Sequence, residues 1–191
     1  MKHIRIEKER KVITYSDLWA TSEFLLESGS DNETGSYYMF LSSLMFKAFS
    51  LEAFLNHIGE HLFDVWGELE KSLSPNSKLC LICEKLDITV NYGKMPWQIV
   101  PEIIGFRNKV AHGKSSLLRE QKLVPVTEEY QSILRKFLLA DWQEYANEKN
   151  ALRAQKQLNS LFEIIHSAAN IENEQLFDYG MQIRTATLMH E

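Results

Sequence analysis

Arg107 and His112 are the residues whose types and spacing best fit chemistry on a phosphodiester. They lie in the segment FRNKVAHG, which runs from Phe106 to Gly113. Histidine is the side chain whose ordinary pKa lies close to neutral, so an imidazole can take up or release a proton during a reaction. A guanidinium presents a fixed fork of donors that matches two phosphate oxygens. The pair is therefore suited to acid–base chemistry on a phosphate ester.

Two further residues are predicted to support that pair. Asn108 lies four residues before His112, hence on the same face of a helix, and would orient the imidazole or hold a phosphate. Glu52 lies in the otherwise apolar stretch FSLEAF, where a carboxylate needs an ionic partner. We favour Arg107 as that partner; an exposed position at the edge of the helix is the alternative.

The same segment is a basic island in an acidic chain. The chain of 191 residues has 21 basic and 26 acidic side chains, a net charge of −5, which excludes a uniformly basic nucleic-acid binder. Residues 107–122 contain five basic side chains and one acidic, a net of +4, so the remainder carries −9. A phosphate backbone would settle on this island, and Lys109 and Lys114 are the residues expected to bind it, RNA in particular if the resemblance described next holds.

The segment resembles the signature of the HEPN superfamily. That signature is an arginine, four to six residues and a histidine, usually with a polar residue after the arginine; here Asn108 follows Arg107 and His112 comes after four residues. The resemblance extends in outline over residues 18–166. It implies a small all-α domain and a metal-independent ribonuclease of toxin or defence systems. His112 would be the acid–base residue, and Arg107 would stabilise the phosphate transition state.

The resemblance also implies a homodimer in which paired motifs line one cleft, with RNA as substrate, a 2′,3′-cyclic phosphate as product and no resident metal or cofactor. His112 lies five positions after Arg107, about 140° around a regular helix. Either the helix loosens at Ala111–Gly113 or two chains share the site.

One departure from the family concerns the partner. The toxin branch that a nucleotidyltransferase neutralises usually has a tyrosine two residues after the histidine, and that position is Lys114 here. We therefore do not expect that antitoxin, and the sequence does not identify another antitoxin or regulator. The competing interpretation is a catalytically silent HEPN-like module whose helix end supports dimerisation or a partner protein.

Zinc binding is a further alternative. The segment His57-Ile58-Gly59-Glu60-His61 matches the H-x-x-E-H pattern of inverted zinc proteases, which also need a third ligand. Cys80 and Cys83 form a lone C-x-x-C that would complete a structural zinc site with the two histidines. A buried free cysteine is the simpler interpretation of Cys83, and we expect no metal.

An all-α bundle of five to six helices, with short β-strands at the termini, is predicted to position these residues. Apolar residues at three- and four-residue steps predict one long helix from Ser36 to about Leu62, apolar on more than one face and hence central or shared with a second subunit. The chain is predicted to be one domain, 1–191, with a β arm at 1–16 and a C-terminal tail at 167–191. Further helices are predicted from Asp17 to Leu26, over 77–86, from Pro96 or Pro101 to Gly113, and over 127–166 with a break at 147–150.

The cellular location is predicted from the N-terminal sequence and from the length of the apolar runs. The first residues lack the apolar core of a signal peptide, and the longest unbroken apolar run, Tyr37 to Leu41, is too short to cross a membrane. Two cysteines do not make a disulfide scaffold. We expect a cytoplasmic protein with no membrane partner.

Overall fold

The computed structural model describes residues 3–126, 130–172 and 174–189, which form a helical bundle with one small sheet. Positions 1, 2, 190 and 191 of the predicted arm and tail, and Thr127, where a helix was predicted to begin, lie outside the described residues. In chain order the elements are β1 (His3–Arg10), α1 (Thr14–Asp31), α2 (Ser36–Leu62), α3 (Trp66–Leu69), α4 (Pro75–Lys85), α5 (Ile99–Ala111), α6 (Tyr130–Arg135), α7 (Asp141–Tyr145), α8 (Glu148–Ala169) and β2 (Gln182–Met189).

The predicted fold class is confirmed in outline, and the predicted number of helices is wrong. The described residues contain eight helices rather than five or six. Five of them have eleven residues or more, namely α1, α2, α4, α5 and α8, and their buried side chains form one apolar cluster. The other three, α3, α6 and α7, have four to six residues and lie in the connections.

Helix α2 is the centre of the bundle, and it has the bounds that the sequence predicted. Helices α1, α4, α5 and α8 all pack against it. Its side chains Leu44, Leu51, Leu55 and Ile58 have no exposed surface. An apolar stripe of this length is buried only when neighbours cover the helix on several sides, which explains its central place.

By length and composition, α2 is also the one helix in the described part of the chain that is long and apolar enough to cross a membrane. Half of its most apolar 18-residue window is buried inside the fold. The core helix of a soluble protein meets the same criterion, so this finding alone does not predict a membrane span.

Helix α1 is longer than predicted at both ends. The pattern assigned Ile13 and Tyr15 to a strand, but the helix begins at Thr14 and both of these side chains are buried in the core. At its other end α1 continues through the polar residues 27–31, beyond the end that was predicted at Leu26. The helix continues because α1 packs closely on α2 at Gly29, where a Cβ would lie only 2.8 Å from a ring atom of Phe40. The two helices approach closely at this glycine, and the polar neighbours lie outside.

The single helix predicted to end at Asn147 is divided. Helices α6 and α7 are separated by residues 136–140, and α6 buries none of its residues. Leu134 and Phe137 are apolar and lie three residues apart, the spacing typical of the buried face of a helix, yet they are 79% and 86% exposed. A break was predicted at 147–150, and the structure has it at residues 146 and 147, since α8 begins at Glu148. The Asn147 side chain caps α8 by accepting a hydrogen bond of 2.9 Å from the N–H of Asn150.

The two strands form an antiparallel ribbon that joins the ends of the chain. Ile6 lies opposite Ala186, and the register runs from His3 with Met189 to Arg10 with Gln182. The predicted terminal strands are thus confirmed. Ile4 and Ile6 are both exposed, so the ribbon does not cover the bundle.

Candidate functional site at the end of α5

Ion pairs to two different helices hold α5 in place. Near its start, Glu102 accepts hydrogen bonds from both terminal nitrogens of Arg153 on α8, at 3.1 and 2.5 Å. One and a half turns later, Arg107 Nη2 donates to Glu52 Oε2 on α2 at 2.6 Å. Between these contacts Ile103 and Phe106 are buried. The end of α5 is therefore fixed relative to both α2 and α8.

The ion pair between Arg107 and Glu52 confirms the partner that the sequence favoured for this carboxylate. The Arg107 side chain is 19% exposed, and its Nη1 also donates to Asn108 Oδ1 at 2.9 Å. The guanidinium is thus held on one side by a carboxylate and on the other by an amide. Such a charge-assisted contact fixes the plane of the guanidinium and the direction of its remaining donors.

Lys78 is a member of this site that the sequence analysis missed. Its Nζ lies 3.5 Å from Glu52 Oε1, and its side chain is only 4% exposed. The carboxylate is therefore shared by two cations, and the trio of Glu52, Arg107 and Lys78 carries a net charge of +1. A signal was present, because Lys78 lies four residues before the buried Ile82 and so shares its helical face.

Arg107 keeps donors that these contacts do not use. A guanidinium has five N–H groups, and the two hydrogen bonds above engage two of them. The Nε atom of Arg107 is buried and has no hydrogen-bond partner among the described residues. Two N–H groups of the terminal nitrogens remain for an anion that reaches the exposed part of the side chain.

His112 is the first residue beyond α5. Its backbone (φ −110°, ψ 17°) departs from the helix, while its N–H still donates to the carbonyl of Asn108 at 3.0 Å. The helix thus ends just before Gly113, as predicted, and the imidazole is not bound to the angle of about 140° that a continuous helix would impose. The side chain of His112 is exposed.

The basic island lies on an exposed part of the chain. All of residues 111–126 are exposed. Lys109 Nζ lies 3.5 Å from Asp141 Oδ2, and Lys122 pairs with Glu120 at 2.6 Å. Lys114 has no ion pair with any of the described residues. The uncompensated charge closest in sequence to His112 is therefore that of Lys114.

The structure separates the two histidines of the H-x-x-E-H segment from the two cysteines. His57 and His61 lie beside Glu174, and His57 Nε2 is hydrogen-bonded to Glu174 Oε1. Cys80 Sγ lies 3.5 Å from the Tyr92 hydroxyl. The described residues therefore do not form the site of two cysteines and two histidines that the sequence offered as an alternative.

Cys83 fits the simpler interpretation, that of a free cysteine in the core. The side chain is buried on α4, and the structure holds it as a free thiol. Burial, and next the neighbouring thiol of Cys80, raise the pKa of Cys83 to about 12. A thiol that stays protonated at neutral pH is neither a nucleophile nor a good metal ligand.

Comparisons with protein-family models, with curated proteins and with solved structures give no match to this chain.

Proposed function

We propose that this chain is a metal-independent endoribonuclease of the HEPN type that acts as a homodimer. The observation that carries the proposal is the end of α5, where the Arg107 guanidinium is held by Glu52 and Asn108 while the His112 imidazole is exposed. A fixed cation and an accessible proton carrier at one helix end are what transesterification of a phosphodiester requires.

In the proposed reaction the 2′-oxygen of a ribose attacks the adjacent phosphorus and the bond to the 5′-oxygen breaks. One proton leaves the 2′-hydroxyl and one proton arrives on the 5′-oxygen, so the products are a 2′,3′-cyclic phosphate and a 5′-hydroxyl. In a homodimer with facing motifs, the imidazole of one His112 takes the first proton and that of the other delivers the second. Arg107 stabilises the pentacoordinate phosphate with its remaining donors.

Glu52 and Lys78 act as positioning residues in this scheme. Glu52 fixes the guanidinium, and the charge of Lys78 offsets that of the carboxylate, so the site stays net positive. Lys109 and Lys114 draw the RNA backbone to the helix end, and Lys114 contributes most because Asp141 offsets Lys109.

The test is cleavage of single-stranded and structured RNA by the purified chain in excess chelator. We expect His112→Ala and Arg107→Ala each to lower the cleavage rate by about 100-fold or more, since acid–base and charge-stabilising groups each contribute about that much. Lys71→Ala removes an exposed cation outside the site and is expected to cleave at the wild-type rate. The thermal unfolding midpoint of His112→Ala should match that of the wild type, because the removed side chain is exposed.

Each outcome has a definite meaning. Equal cleavage by the wild type and His112→Ala would trace the activity to a contaminant and overturn the proposal. A folded wild-type dimer that leaves every RNA intact would make the chain the catalytically silent module instead. Light scattering should give the mass of two chains, and full activity in a monomeric sample would refute the shared site.

A further inference from the structure

Three side chains from distant parts of the sequence meet beside α2 and take no part in the proposed ribonuclease site. His57 and His61 are one helical turn apart, with ring centroids separated by 4.9 Å. Glu174 reaches them from the segment that follows α8. One ligand atom of each residue lies within 4.8 Å of the other two. We call these three residues the histidine–glutamate cluster.

We propose that the histidine–glutamate cluster binds one Zn²⁺ ion through His57, His61 and Glu174, with a fourth coordination position open to solvent. Two imidazoles and one carboxylate are an established ligand set for zinc. The H-x-x-E-H segment supplies two of the three ligands, and Glu174 is the third ligand that the segment lacks by itself. The proposal goes beyond the ribonuclease and does not depend on it.

Small movements within the cluster would admit the ion. Zinc–nitrogen and zinc–oxygen bonds of about 2.0–2.2 Å place tetrahedral ligand atoms about 3.3–3.6 Å apart. His57 Nε2 and Glu174 Oε1 share a short hydrogen bond, so these two atoms separate to take an ion between them. His61 is exposed and can change its rotamer to approach them without disturbing the core. Two largely buried ligands and one adjustable ligand suit the capture of an ion from solution.

Lys11 competes with the proposed ion for the charge of Glu174. Its Nζ lies 2.8 Å from Glu174 Oε2, whereas Oε1 faces His57. The Lys11 side chain is more than half exposed, so its ammonium group can move into solvent. If the cluster is only an ion-pair network, the chain binds no zinc with or without Lys11. If it is a metal site, removal of Lys11 frees the carboxylate and strengthens zinc binding. The zinc affinity of the variant that lacks Lys11 therefore distinguishes the two interpretations.

The cluster and the ribonuclease site are separable although both use α2. Glu52 lies five residues before His57, which is about 140° around the helix. Zinc binding can be measured without RNA, and RNA cleavage can be measured in excess chelator. The failure of one proposal therefore leaves the other standing.

The experiment is a titration of the metal-free full chain with Zn²⁺ in competition with a chromophoric chelator. We expect one Zn²⁺ per chain, with the affinity lowered about 100-fold or more in His61→Ala and in Glu174→Gln. Cys80→Ser should bind zinc as the wild type does, and Lys11→Met should bind it several-fold more tightly. Co²⁺ in place of zinc should give the visible absorption bands of a four-coordinate site in the wild type, and those bands should be lost in His61→Ala.

His61→Ala is the decisive variant, because its side chain is exposed and its loss does not threaten folding. Zinc should raise the thermal unfolding midpoint of the wild type and leave that of His61→Ala unchanged. Wild-type affinity in His61→Ala, loss of binding in Cys80→Ser, or weaker zinc binding in Lys11→Met would each overturn the proposal.

Discussion

Lys47 is an amine buried in the middle of the bundle. Its side chain has no exposed surface, and its Nζ donates to Ser43 Oγ at 2.8 Å and lies 5.9 Å from the centre of the Trp19 ring. Burial lowers the pKa of Lys47 to about 8, although the charge of Glu23 acts in the opposite direction. The cost of desolvating the ammonium group is therefore larger than its stabilisation by the hydroxyl, the ring and the carboxylate.

Lys47→Met is expected to change how stability depends on pH. In the unfolded chain a lysine titrates near pH 10.4, so between about pH 8 and pH 10.4 the unfolded wild type binds more protons than the folded one. Across that window the free energy of unfolding of the wild type should therefore rise by about 3 kcal/mol because of this residue. Below about pH 8 the folded chain bears the full cost of the buried charge, so this residue contributes no such gain there. The variant should lack this gain. Denaturant unfolding of both proteins at several pH values from 7 to 10 measures the difference.

The remaining groups near Lys47 keep their partners in that variant. Ser43 Oγ donates to the Ser22 carbonyl at 2.7 Å, and Ser22 Oγ donates to the Trp19 carbonyl at 2.6 Å. A stability difference between the two proteins that stays constant with pH would show that Lys47 is not titrating near pH 8.

Single positions differ in how far the sequence could predict them. Lys47 lies three residues after Leu44 and four before Leu51, so its burial follows from the helical period alone. The pairing of Glu52 with Arg107 followed from the rule that a charge in an apolar stretch needs a partner. The part that Glu174 plays in the cluster could not be predicted from its neighbours in the sequence. Glu174 is 117 residues from His57 and lies in an irregular segment, so only the folded chain brings the two together.

At the scale of elements, Gly59 determines how α3 packs on α2. A Cβ at Gly59 would lie 2.1 Å from the ring of Trp66, which is far too close, and Trp66 is 1% exposed. The glycine within the H-x-x-E-H segment is therefore required by packing, whatever the flanking histidines bind.

Gly59→Ala is expected to destabilise the protein by about 2 kcal/mol or more. An inserted methyl group in a packed core typically costs about 1–3 kcal/mol, and the indole has no room to withdraw. Gly105→Ala is the matched control within another helix, because a Cβ there meets nothing within 4 Å. It should stabilise α5 by up to about 1 kcal/mol through helix propensity. Thermal or denaturant unfolding of the two variants should therefore give shifts of opposite sign, and shifts of the same sign would contradict this account of Gly59.

Elements were predictable where the signals that define them are local. The bounds of α2 follow from one uninterrupted apolar stripe, and the start of α8 follows from the cap at Asn147. The apolar stripe through Tyr130–Arg135 correctly predicted a helix there, but not its early end or its exposure, because helical periodicity shows that a helix could bury a face, not that the fold supplies a surface to cover it. The polar end of α1 was missed for the converse reason, since Phe40 supplies a surface where the local composition favours a loop.

For the whole molecule, the distribution of charge limits how RNA can approach. The chain outside residues 107–122 carries a net −9, which repels a phosphate backbone, and the basic segment is exposed. Binding is therefore expected to depend on a few lysines and arginines near the end of α5. Dissolved salt screens such contacts and makes the release of counterions from RNA on binding less favourable, so it weakens binding.

The dependence of RNA affinity on salt tests this distribution directly. In a His112→Ala background, which removes the proposed proton carrier, the logarithm of the association constant should fall linearly with the logarithm of salt concentration. Each phosphate contact on single-stranded RNA contributes about 0.7 to that slope. Lys114→Gln should reduce the slope by about 0.7 for each chain in the complex, because Lys114 has no competing carboxylate among the described residues. Lys71→Gln, at an exposed position outside the basic segment, should leave the slope unchanged. Fluorescence anisotropy at salt concentrations from about 50 to about 300 mM measures these slopes. Equal reductions of the slope in the two variants would mean that the whole surface binds RNA, rather than the end of α5.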